Sequence, residues 1–148
     1  MRQSEAVRAH FNVLSIFCGA SFAGVAIFSG VVWYLLSSGS MPPGDLDLPP
    51  WSGMLLNVIA LVVLMKASFL PRLMGRPTAG PSEQDVLAWH KKTTFVGFAL
   101  REGAGFLALV GAMLTGQVAV AALMVGLVFV SMILAWPRED QLGNGIQA

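Results

Sequence analysis

From Phe11 to Leu36 the chain carries no formal charge. A helix needs about 20 consecutive apolar residues to cross the hydrocarbon core of a bilayer, and this run exceeds that length. The lead before it, with Arg2, Arg8 and the single acid Glu5, invites comparison with a signal peptide. The apolar core of a signal peptide, however, is only roughly 7–15 residues. Phe17, standing before Cys18 where a lipoprotein signal has a small residue, argues against that class as well. A retained first span over residues 11–36 is expected.

Three further spans follow. Residues 37–51, SSGSMPPGDLDLPPW, break the helix with glycines and two Pro-Pro pairs. Residues 52–70 form the second span, interrupted only by Asn57 and Lys66, with Pro71 expected to stop it. Residues 71–93 make a polar loop and the start of the next helix. Ser82 offers a hydroxyl cap there, and Glu83 and Asp85 suit the positive end of the helix dipole. The third span is expected at 94–116, a tight turn at Gly116-Gln117, and the fourth span at 118–136. Charged residues are only 11% of the chain, against about 25% in a soluble domain. The expected fold is a single membrane domain over residues 1–148: all-α, a four-transmembrane-helix bundle made of two helical hairpins.

Charge sets the orientation. Arg2, Arg8, Lys66, Arg72, Arg76, Lys91, Lys92 and Arg138 fall at one side of this layout, and the loops around Pro43 and Gly116 hold no Lys or Arg. The positive-inside rule then puts both termini in the cytoplasm, as in a bacterial inner membrane. Aromatic residues give matching interface anchors: Trp33, Tyr34 and Trp51 outside, Trp89 and Trp136 inside.

Within the third span, TTFVGFALREGAGFLALVGAMLTG, Arg101 and Glu102 stand in otherwise apolar surroundings. A charge at mid-helix costs roughly 2.5–3.5 kcal/mol on insertion scales, so both are candidate functional residues. At the helical rise, Glu102 lies about 21 Å, and Arg101 about 22 Å, from the outer end of this span. Lys66 lies about 22 Å from Trp51 by the same count. The three are expected to form an intramembrane polar layer, with Ser21 and Ser131 near its level. One reading has Lys66 and Arg101 reaching for the cytoplasmic interface while Glu102 pairs with one of them. The other makes Glu102 a carboxylate that takes up and releases a proton or cation.

Small residues recur at helical spacing, with Ala104, Ala108, Ala112 and Gly116 on the third span and Gly24 among those on the first. Such steps let membrane helices approach closely. They serve packing within the bundle or contact in an oligomer. The fourth span is nearly featureless and is expected to face lipid, and Asn57 is expected to hydrogen-bond between helices. His10 and His90 sit at the edge of the spans, which argues against a haem held between them. The single cysteine, Cys18, excludes an intrachain disulfide and a Cys-based metal site. No phosphate loop, nucleophile elbow or HExxH helix occurs, and no basic run tracks nucleic acid. No cofactor and no catalytic residue are expected.

Residues 99–116, ALREGAGFLALVGAMLTG, with an acid inside a Gly/Ala-rich span, resemble the carboxylate-bearing helix of the proteolipid (c-type) subunits of rotary ATPases. The resemblance implies a helical hairpin, single or duplicated, in which Glu102 carries the ion. The chain differs from that family in setting Arg101 beside the acid and Lys66 in the first hairpin. Taken with the absence of catalytic motifs, the sequence points to a non-catalytic accessory or scaffolding component. Its partners are the lipid bilayer and either further copies of itself or a larger membrane complex. An ion- or small-solute-translocating bundle using Glu102 is the alternative.

Overall fold

The computed structural model describes residues 5–40, 49, 51–75, 77 and 82–138. Among them the backbone forms four helices and no strand: α1 Glu5–Ser37, α2 Ser52–Leu73, α3 Glu83–Thr115 and α4 Val118–Leu134. α1, α2 and α3 are long and apolar enough to cross a bilayer. α4 has 17 residues and no charge, which at the helical rise is about 26 Å.

Local chemistry sets several of the ends. The Ser82 hydroxyl accepts from the Asp85 N–H at 3.2 Å, and the Asp85 carboxylate accepts from the Ser82 N–H at 3.1 Å. This reciprocal pair satisfies two amides that the first turn of α3 would leave open. At the other end Gly116 adopts φ 71°, and its N–H bonds to Ala112 O. That left-handed conformation is easy only for glycine and turns the chain directly into α4.

Two boundaries differ from expectation. α2 does not stop at Pro71 but runs through it to Leu73. Proline in the last turn forfeits a single intrahelical bond; Met74 N–H still reaches Leu70 O at 2.9 Å, and Gly75, at φ 56°, follows the helix end. α1 begins at Glu5, ahead of the apolar run, because Val7 and Phe11 bury themselves against Val86 and Leu87 of α3.

α3 is the hub. It packs against α1, α2 and α4, and α4 also touches both α1 and α2, whereas α1 and α2 scarcely meet. The core between them is closed by Val25, Ala60, Ala104, Ala108, Val128 and Met132, all fully buried. Ala104, Ala108 and Ala112 make one buried line along α3. α2 comes closest: a Cβ on Gly111 would meet Leu56 Cβ at 3.5 Å and Gly53 O at 3.8 Å. Small residues permit this approach, which supplies van der Waals attraction where no hydrophobic drive exists between helices. α4 is not merely lipid-facing. It buries Ala121, Met124, Val125, Val128 and Met132 and exposes the opposite side. Its sequence hid this because its inner and outer faces are equally apolar.

Among the described residues one face of α3 is left uncovered, since α1 and α2 do not close over it. Val96 and Val110 are 39% and 38% exposed there. Ala99 is exposed as well, and a Cβ on Gly103 would meet nothing within 4 Å.

Candidate functional site

Successive residues on an α-helix point about 100° apart. On a helix with three neighbours, Arg101 and Glu102 therefore address different ones. Arg101 turns toward the seam between α2 and α4 and is 7% exposed. Its Nε donates to Ser131 Oγ of α4 at 2.8 Å, and its Nη1 donates to Gly97 O at 2.9 Å. Gly97 makes the second bond possible, because a Cβ there would lie 2.9 Å from Nη1. The guanidinium carbon is 5.9 Å from the Phe98 ring centre.

Glu102 turns toward α1 and is half-buried. Its Oε1 would lie 3.3 Å from a Cβ on Gly24, so glycine at that position makes the room for the carboxylate. Two ring pairs bracket it along the α1–α3 seam. Phe17 and Phe95 meet at 4.1 Å on one side, and Phe28 and Phe106 at 5.1 Å on the other.

Lys66 is exposed on α2, off the buried line of Gly53, Asn57, Ala60, Leu64 and Ala67. Among the described residues, none of Lys66, Arg101 and Glu102 forms an ion pair within the chain. The expected polar layer is thus divided: Arg101 and Ser131 meet, Glu102 sits apart, and Lys66 joins neither. Counting residues along a span gives depth but not direction around the helix axis, and direction decides contact.

Asn57 also differs from expectation. Its Nδ2 donates to Gly53 O on its own helix at 2.8 Å, and its buried Oδ1 has no partner among the described residues. Trp33 and Trp51 are both exposed. Trp136 is instead half-buried, 6.3 Å from the Phe98 ring, and its edge would come 4.0 Å from a Cβ on Gly19. Trp89 is half-buried too.

One contact was invisible in the sequence. His10 Nε2 and His90 Nδ1 lie 3.2 Å apart, joining the starts of α1 and α3, with Phe11 packed 5.7 Å from the His90 ring. Each histidine precedes its span by a few residues, so a shared level was the only available clue. No group of three or more metal-ligating side chains occurs among the described residues.

Comparison with protein-family models, curated proteins and solved structures finds no match. Fold and site therefore define the class by themselves: an all-α bundle with three membrane-spanning candidates, carrying an arginine and a glutamate that face apart on its central helix.

Proposed function

We propose that this protein is a non-catalytic scaffold of a membrane assembly, and that its first partner is a second copy of itself docked on the uncovered face of α3. The carrying observation is that half-buried Glu102, beside that face, and exposed Lys66, on α2, form no ion pair among the described residues, while residue counts along their spans put these opposite charges at about one level. A two-fold axis along the membrane normal preserves depth and brings the α2 of one copy to the α1–α3 edge of the other. Lys66 of each copy then meets Glu102 of its partner. Exposed Ala99 and Gly103, where a Cβ would meet nothing within 4 Å, supply the four-residue small step that lets two α3 helices approach. Both termini lie in the cytoplasm, and the bundle resides in an inner membrane of bacterial type, on the distribution of Lys and Arg.

Counting subunits by photobleaching in dilute liposomes tests this. The natural chain is expected to be dimeric. Gly103→Ile, which meets open space within one copy, should give monomers that stay folded. Lys66→Glu and Glu102→Lys should each weaken the dimer, and the chain carrying both should recover it. A natural chain that is monomeric at every density, or a Gly103→Ile chain that dimerises equally well, overturns the proposal. For the orientation, Leu46→Cys should react with an impermeant thiol reagent added outside cells, and Ala79→Cys should not.

Proteolipid-like ion movement by Glu102 is the second reading, favoured by the same unpaired carboxylate. It requires water to reach Glu102 past the flanking phenyl pairs. Labelling of Glu102 by a hydrophobic carbodiimide, lost in Glu102→Gln, is its signature.

A further inference from the structure

Among the described residues nothing fills the seam between α2 and α4. A groove of about 610 Å³ opens there, lined by Leu61, Leu64, Met65, Phe69, Leu127 and Val130 among others, with Ser68, Ser131 and Arg101 as its polar elements. A second hollow of about 700 Å³ continues the same seam toward Trp51 and Gln117, and the two share Leu61. Together they form an apolar trough along most of the bundle's height. It is open on its outer side, where Met65, Phe69, Val130 and Leu134 are exposed.

Arg101 is the anomaly in that trough. It is more than nine-tenths buried, yet it has no carboxylate partner among the described residues. Two of its donors are occupied by Ser131 Oγ and Gly97 O, and the rest find no acceptor there. Ser131 accepts from Nε and keeps its own hydroxyl proton for another acceptor. A guanidinium always remains charged, and removing it from water without an anion is strongly unfavourable. Ser131 lies about 7–8 Å along α4 from Trp136, within reach of a lipid headgroup drawn slightly inward. Arg72 stands one turn beyond Ser68 on α2, and Arg138 follows the end of α4, so the same end of the seam is basic.

We infer that the α2–α4 trough is a binding site for an anionic phospholipid, whose phosphate is held by Arg101 and Ser131 and whose acyl chain lies along Leu61, Leu127 and the hollow beyond. The phosphate takes the open donors of Arg101 and the Ser131 hydroxyl. The open apolar flank admits the ligand from the bilayer, a path closed to a hydrated anion. This site lies on the opposite side of α3 from the proposed dimer face, so either can fail without the other.

Native mass spectrometry of the full chain in neutral detergent tests it, with phosphatidylglycerol and phosphatidylcholine of identical chains offered in equal amounts. The natural chain should retain the anionic lipid in about tenfold or greater preference. Arg101→Gln should bring that ratio close to one. Leu127→Trp, which blocks the groove and leaves Arg101 in place, should lose bound lipid of both kinds and guards against a folding defect in the first variant. Arg8→Gln, on α1 and outside the seam, should keep the preference. Equal retention of the two lipids by the natural chain overturns the assignment, as does an undiminished preference in folded Arg101→Gln. Displacement of the lipid by millimolar inorganic phosphate would mean that a free anion is the ligand, and would overturn it too.

Discussion

Substituting Gly53 by alanine strikes the closest point between α2 and α3. A Cβ at residue 53 would lie 2.9 Å from Thr115 Cγ2 and 3.0 Å from Thr115 Cβ, with Oγ1 also in contact. Thr115 has little freedom to yield. Its hydroxyl donates to Gly111 O at 2.7 Å, and a β-branched side chain has one or two allowed rotamers in a helix. Either that bond breaks or the two helices separate by a few tenths of an ångström. Overpacking of this kind costs about 1–3 kcal/mol. Alanine returns up to about 1 kcal/mol over glycine through helix propensity. The net expectation is a loss of about 1–2 kcal/mol. Helicity followed against SDS mole fraction in mixed micelles measures it. Gly30→Ala is the control, since a Cβ there meets nothing within 4 Å, and it should be neutral or slightly stabilising. Adding Thr115→Ala to Gly53→Ala removes both Oγ1 and Cγ2, and a coupling energy of about 1 kcal/mol should appear. The reasoning fails if Gly53→Ala behaves like Gly30→Ala, or if the two changes are additive.

Two further outcomes are expected. His10→Ala removes the 3.2 Å contact between His10 Nε2 and His90 Nδ1 that joins the starts of α1 and α3, and it should lower stability in the same SDS assay by about 1 kcal/mol. Ser82→Ala should fray the first turn of α3, seen as faster amide exchange over residues 83–87. The Ser82 hydroxyl and amide hold Asp85 below the usual carboxylate range, so this cap is present at neutral pH and lost in acid as Asp85 takes up a proton.

The legible parts of the fold were those fixed by short stretches of chain. Long apolar runs marked the helices, Ser82 and Asp85 marked a cap, and Gly116 marked a turn, because each acts through neighbours in sequence. The Pro71 misreading belongs to the same scale: a proline ends a helix only where the lost bond is not outweighed by the bonds around it. Lateral order was not legible. In a soluble bundle the polar face identifies the outside, but here lipid and core are equally apolar, so the buried side of α4 carried no mark. Arg101 and Glu102 were found by their cost, yet their opposite directions depend on which helices surround α3. His10 and His90, far apart in the chain, meet only because α1 and α3 start at one level and pack together.

The near-absence of contact between α1 and α2 bears on how the bundle is built during synthesis. Spans emerge in order, and a hairpin of the first two ordinarily serves as a seed for the rest. Here that seed has no interface of its own. Gly53 on α2 waits for Thr115 of α3, and Val25 on α1 waits for Gly105 of α3. Until α3 is in the bilayer the first two spans are separate rods, free to be held by insertion factors or degraded. Assembly is then expected as one late event in which α3 gathers both earlier helices. A chain ending after Leu73 should be inserted correctly and never become compact.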